Sequence, residues 1–241
     1  MSAELKARQI DTTWVLSVSN PSGRVLTADV FASAIEALDV AERDDDTRAV
    51  VIAGLDGLIS VTPNLRELSE RREPAQAALA SQVSSFAGLL DTVRTFSKPV
   101  LAAVEKHAEG AGLALALACD FIVADESAHF GLPQRPQASG PGLPDSGASW
   151  FAARALPRAL ANEMLLTGAP IEAARLYAAG VINKLAVHGH ALATAVDWAA
   201  ELAQRPSGAF SEAKRLLEDA TDRDLQSQMQ AEGDALVARL R

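Results

Sequence analysis

The chain has 241 residues, 49% hydrophobic but only 5% aromatic, with a formal charge of −9 from 22 basic and 31 acidic side chains. That length supports one substantial core filled by Ala, Leu and Val, and an acidic chain without a basic block excludes nucleic acid and anionic membranes as main partners. A single cysteine, Cys119, excludes an intrachain disulfide and a cysteine metal cluster. No stretch is apolar and long enough to span a bilayer, so a soluble cytoplasmic protein is expected.

Thr13 to Ser19 alternates as a strand, and Pro21-Ser22-Gly23 turns it. Thr27 is placed to cap a helix reaching Arg43, with Val30, Ile35 and Leu38 facing inward. A polar break at Asp44 to Thr47 leads into a buried strand over Arg48 to Gly54. Leu65 to Arg72 reads as a short helix, broken by Glu73-Pro74, and Ala75 to Phe96 as a long one. Pro99 to Val104 and Phe121 to Ala124 read as strands on either side of a short Ala/Leu helix that stops near Asp120. Gln134 to Gly147, dense in Pro and Gly, is a loop, and from Ser149 onward the pattern is helical. Strand signals thus concentrate before about residue 135 and helix signals after 148.

The most informative stretch runs from Lys98 to Gly131: an apolar strand, a loop ending Gly110-Ala111-Gly112, then the Ala/Leu helix and its A-C-D ending. Small residues let backbone approach a ligand, and the first amides of the helix are free at its positive end, an arrangement that holds an oxyanion. This stretch resembles the crotonase (enoyl-CoA hydratase/isomerase) superfamily. Asn20-Pro21 with Arg24 and Leu26-Thr27, the R-A-V-V-I-A-G strand, and Leu165-Leu166-Thr167-Gly168 followed by Gly180-Val181-Ile182-Asn183 extend the likeness in order along the chain.

The resemblance implies an α/β fold, a spiral of ββα units over residues 1–185, with a C-terminal helical segment over 186–241 that trimerises. It implies an acyl-CoA thioester as substrate or ligand, no permanently bound cofactor, no metal, and a homotrimer or homohexamer. The thioester oxygen would lie between two backbone amides, those of Val61 and Ala111. Alanine suits the second position provided its backbone does not need a positive φ. In the first loop, Pro63 restricts the residue before it, and Ser60 and Asn64 would border the ligand together with Gly110. Arg24, with Val25 and Leu26, would meet the CoA moiety, Arg24 being equally suited to a solvated turn.

The acid and base of the resembled hydratases are glutamates, and neither has a counterpart here. Ala114 stands at the first position. Gln134, after Phe130-Gly131-Leu132-Pro133, stands at the second, and a register shifted to Pro136-Gln137 gives glutamine again. An amide has no useful proton-transfer pKa, so ordinary hydration is expected to be weak or absent. Asp145 resembles the nucleophilic carboxylate of 4-chlorobenzoyl-CoA dehalogenases and is equally a helix N-cap. That branch's histidine would fall near Ala87, which cannot serve. His107, in the glycine loop, can face the pocket or simply pack. His129 belongs at a strand end. His188 and His190 flank Gly189 in an exposed turn without a third metal ligand. Three readings follow: an acyl-CoA-binding crotonase relative of the lyase or isomerase class, an enzyme with another acyl-CoA reaction using Asp145 or His107, and a non-catalytic trimerising subunit.

Overall fold

The computed structural model describes residues 4–20, 28–57, 74–133, 146–205 and 207–239. The expected turn at Pro21-Ser22-Gly23, the Thr27 cap, the Leu65 to Arg72 helix and most of the Gln134 to Gly147 loop lie outside them.

Strands β1 (Glu4–Ile10) and β2 (Thr13–Ser19) form an antiparallel hairpin. Strands β3 (Ala49–Ala53), β4 (Val100–Val104), β6 (Phe121–Asp125) and β9 (Lys184–Ala186) extend it in parallel, giving the order β1-β2-β3-β4-β6-β9. Every residue of β3 and β4 is buried, which is why these strands read as continuous apolar runs rather than alternations. On one face Leu16, Val50, Ile52, Ala102, Val104 and Ile122 meet helices α1 (Ala28–Arg43), α2 (Pro74–Thr95) and α3 (Ala111–Ala118). On the other face Val15, Val51, Leu101, Ala103 and Val123 meet helix α7 (Ala191–Leu202), whose Ala191, Ala195 and Ala199 recur at i, i+4 and i+8. Three short strands, β5 (His107–Glu109), β7 (His129–Gly131) and β8 (Ile171–Glu172), make a second sheet. The remaining helices are α4 (Ala148–Ala155), α5 (Arg158–Asn162), α6 (Ala173–Ala178), α8 (Ser207–Ala220) and α9 (Leu225–Ala238).

The mixed α/β architecture and the C-terminal helices agree with the sequence reading, and so do α1, α2, β2, β3, β4 and β6. In α1 the inner face is Phe31, Ala34, Leu38 and Ala41, while Val30 and Ile35 pack only partly against it. Three points differ from that reading. Strand β1 is polar and half-open, so its alternation is faint. His107 is in strand β5 rather than in a loop. Strands β8 and β9 interrupt the helical half, each too short to carry a periodic signal. Gly54, at φ 72, is fixed by crowding, since a Cβ there would lie 2.0 Å from the Val18 carbonyl oxygen.

A buried carboxylate ties the β6–β7 turn to the β9–α7 turn. The Asp125 side chain is wholly inaccessible, and it accepts hydrogen bonds from the Ser127 amide (2.8 Å), the Ser127 hydroxyl (2.6 Å) and the Gly189 amide (2.6 Å). Burial alone would raise its pKa, but these donors, with His188 Nδ1 alongside, outweigh burial and hold it well below the usual carboxylate range. A depressed native pKa adds stability above the unfolded-state pKa and loses it as pH falls toward the native value. Asp125→Ala is expected to cost roughly 3 kcal/mol by urea unfolding at pH 7, because two amides and a hydroxyl lose a charged acceptor. The gap between wild type and Asp125→Asn should stay constant from neutral pH down to about pH 4 and narrow below it; a gap that widened on acidification would contradict this assignment.

Candidate active site at the start of the buried helix

The segment from β4 to α3 builds the site from backbone. Lys106, next to a contact with Asp56, leads into β5. There Ala108 faces the core while His107 and Glu109 stay half-buried on the opposite face. Gly110 keeps the small sheet's pairing by donating its amide to the Gly131 carbonyl at 3.1 Å. It then turns the chain into α3 at φ 54 and ψ −111. The left-handed backbone falls on Gly110, and Ala111 is not among the residues with positive φ, so the alanine methyl carries no strain of that kind. Ala111, Gly112, Leu113 and Ala114 are all buried.

The amides of Ala111, Gly112 and Leu113 have no acceptor within the helix, the Ala114 amide being the first to find one, in the Gly110 carbonyl at 3.0 Å. A glycine cap brings no side chain to them. The positive end of α3 is therefore buried and uncapped, which suits it to a developing oxyanion. One turn in, Ala114 presents a fully buried methyl group, which cannot move a proton.

The far end of α3 is held by charge. Asp120 accepts hydrogen bonds from the Val100 amide (2.8 Å) and from Lys214 Nζ (3.0 Å), and Lys214 also donates to the Val93 carbonyl (3.0 Å). Burial raises the Asp120 pKa, with Lys214 opposing it. Burial, with the Asp120 charge next to it, also pushes the Cys119 thiol upward, so this cysteine is no reactive thiolate. Its Sγ donates to the Leu115 carbonyl at 3.2 Å.

Among the expected site residues, Gly110, Ala111 and Ala114 come together, with His107 at the start of the adjoining strand. Arg24, Val25, Leu26, Ser60, Val61, Asn64, Gln134 and Asp145 lie outside the described residues. The cap of α4 falls on Gly147 (φ 81), two residues past Asp145, so the N-cap role considered for Asp145 is corrected. Ala87 is an exposed alanine on α2. His188 and His190 are exposed as expected, and among the described residues no three His, Cys, Asp or Glu side chains are grouped to hold a metal. Glu109 was passed over: a half-buried carboxylate immediately before Gly110, on the face of β5 that carries His107, marked in the sequence by the alternation His-Ala-Glu.

Residues 13–239 match the model of the enoyl-CoA hydratase/isomerase family. The chain belongs to that family. A crystal structure of an enoyl-CoA hydratase from Polaromonas is similar at a TM-score of 0.85 and 37% identity, covering 98% of this chain and 91% of that one. The human mitochondrial enoyl-CoA hydratase domain-containing protein 2 is 31% identical over 221 residues, 90% of this chain and 74% of its own length. A carnitinyl-CoA dehydratase from Salmonella enteritidis is 32% identical over 191 residues, 79% of this chain and 69% of its own.

In this family member the first turn of α3 has no charged or hydroxyl-bearing side chain. No described helix is long and apolar enough to cross a membrane. Ala114→Glu, which inserts a carboxyl into fully packed surroundings, is expected to lower stability by roughly 2–4 kcal/mol in urea unfolding. The new glutamate should titrate above the usual carboxyl range because burial disfavours its charged form. An unchanged unfolding midpoint would mean that position 114 opens onto solvent.

Proposed function

We propose that the protein binds acyl-CoA thioesters with the thioester oxygen on the Ala111 amide, the Val61 amide being the second donor. Ordinary enoyl-CoA hydration is then weak or absent, because Ala114 and Gln134 occupy the two positions that would need glutamates. The observation that carries this reading is the buried, uncapped start of α3 with a methyl group one turn in. Arg24, Val25, Leu26, Ser60 and Asn64 border the CoA and acyl parts of the ligand. Coenzyme A arrives as part of the ligand, so no resident cofactor is required.

A second reading, a different acyl-CoA reaction, is favoured by the half-buried His107 on the strand entering the helix; Asp145 is its other candidate. A third reading, a non-catalytic subunit, shares with the first the assignment of 186–241 as a self-associating segment. Helix α9 has no buried residue, and its Leu225, Met229 and Leu236 are 76%, 63% and 67% exposed. A 14-residue helix left this open gains little from packing. A homotrimer or homohexamer covers it.

Light scattering at micromolar concentration is expected to return three or six times the 25.3 kDa chain mass; a monomer would remove the assembly from this proposal. Ala111→Pro tests the site directly. Position 111 is the first of its helix, where proline is tolerated, so the variant should fold yet lose the amide donor. Its affinity for a saturated acyl-CoA should fall at least about tenfold, the range of one charge-assisted hydrogen bond. Undiminished affinity in a folded variant would reject the oxyanion assignment. Crotonyl-CoA hydration by the unmodified protein should be slower than in a glutamate-bearing relative by several powers of ten, each missing acid or base removing about 10² to 10⁴. Turnover at about 10 s⁻¹ or faster would show that positions 114 and 134 are not those of the acid and base.

A further inference from the structure

Helix α8 stands off the core along one of its faces. Phe210, Ala213, Lys214, Leu217 and Glu218 recur at i, i+3, i+4, i+7 and i+8, so they share one side of the helix. That side lies over the junction of α3 with β6 without closing on it. A cavity of about 320 Å³ remains, with all five residues and Leu117 of α3 on its walls. Leu117 is the one residue of α3 left partly open, and Leu217 is 74% exposed. The gap is spanned by the Lys214 side chain, whose ammonium donates to the Asp120 carboxylate and to the Val93 carbonyl, each at 3.0 Å. Phe210 meets Phe121 of β6 with ring centroids 6.3 Å apart, and Trp198 braces Phe121 at 4.8 Å.

The charges bordering this cavity already have partners: Lys214 pairs with Asp120, and Glu218 with Arg94. A charged guest would therefore lose its hydration without gaining a free counter-ion. An uncharged guest with a hydroxyl can still use the polar edge, because an ionised carboxylate offers about four lone-pair sites and both Asp120 and Glu218 border the space. The volume is at the lower end of small-molecule pockets and corresponds to about ten water-sized groups at ~30 Å³ each. We propose that the cavity binds a small uncharged amphiphile, an alkyl or aryl alcohol. Its apolar body lies against Phe121, Phe210 and Leu217, and its hydroxyl donates to the carboxylate of Asp120 or Glu218. The site is distinct from the free amides, which stand at the other end of α3, about 12 Å away at 1.5 Å per residue, and it does not depend on the acyl-CoA reading.

The test is calorimetric titration of the full chain with 1-hexanol, hexanoate and hexylammonium at pH 7, with light scattering run alongside. Hexanol should bind at least about tenfold tighter than either charged analogue, since a charge taken out of water here finds no free partner. Ala213→Phe puts a ring into the cavity from an exposed position, so it should leave the fold intact and weaken hexanol binding at least about tenfold. Leu217→Gln, also at an exposed position, removes part of the apolar wall and should weaken hexanol severalfold; it carries the test should the phenylalanine variant misfold. Absence of hexanol binding, equal binding of a charged analogue, or affinity unchanged in both folded variants overturns the site. A wild-type protein that takes no hexanol, while Leu217→Gln breaks an assembly seen by light scattering, would show that a neighbouring copy covers the cavity and would also overturn it.

Discussion

Burial of an eight-residue helix without a polar side chain governs the site. Helix α3 is A-G-L-A-L-A-L-A, and every residue except Leu117 is buried. Such a helix gains its stability from packing rather than from length, and it can pack this closely because half its residues are alanine. The same burial creates the chemistry. Peptide groups at the N-terminus of a buried helix cannot rely on water for hydrogen bonds, and a glycine cap offers no side chain in its place. A ligand oxygen is the natural acceptor for the amides left over. The left-handed turn at Gly110 brings the backbone from β5 into α3 while its amide still holds the Gly131 carbonyl, so the small sheet fixes where those amides stand.

Much of this could be read from residues alone. The β3 and β4 runs are apolar on both faces because helices cover both, and that continuity is what a sequence shows most plainly. Gly110-Ala111-Gly112 before an Ala/Leu run gave the helix start, and the backbone shows that the positive φ belongs to the glycine and not to the alanine. What could not be read has physical reasons. Strands of two or three residues, such as β8 and β9, carry no period, and their partners lie far away in sequence. The role of Asp125 depends on the Gly189 amide, 64 residues distant. The Asp145 cap was misjudged because residue type favoured aspartate, whereas the left-handed backbone at Ser146 and Gly147 moved the helix start two residues on.

The C-terminal helices join the core through apolar contacts, such as the Phe121 ring against Trp198 and Phe210, and through charge. Lys214, on α8, reaches Asp120 and the Val93 carbonyl, joining α8 to the end of α2 and to the junction of α3 with β6. Asp120 also receives the Val100 amide at the entrance to β4. A buried pair of this sort contributes little net stability but is costly to break singly, so its effect is to fix position. Helix α9, with no buried side chain of its own, extends that anchored element. A second ion pair, Arg94 with Glu218, ties α8 to α2 as well.

An alanine at position 114 suits this background. A glutamate inside α3 has to be kept solvated or bonded at one end of an otherwise apolar helix, whereas alanine completes the packing at no desolvation cost. The free amides at the helix start do not depend on that side chain, because they are placed by the glycine turn and by the pairing of β5 with β7. The free amides and the side chain one turn in are therefore separable, and alanine there stabilises the helix that carries them. A buried helix start of this kind keeps its free amides whatever side chain follows one turn in.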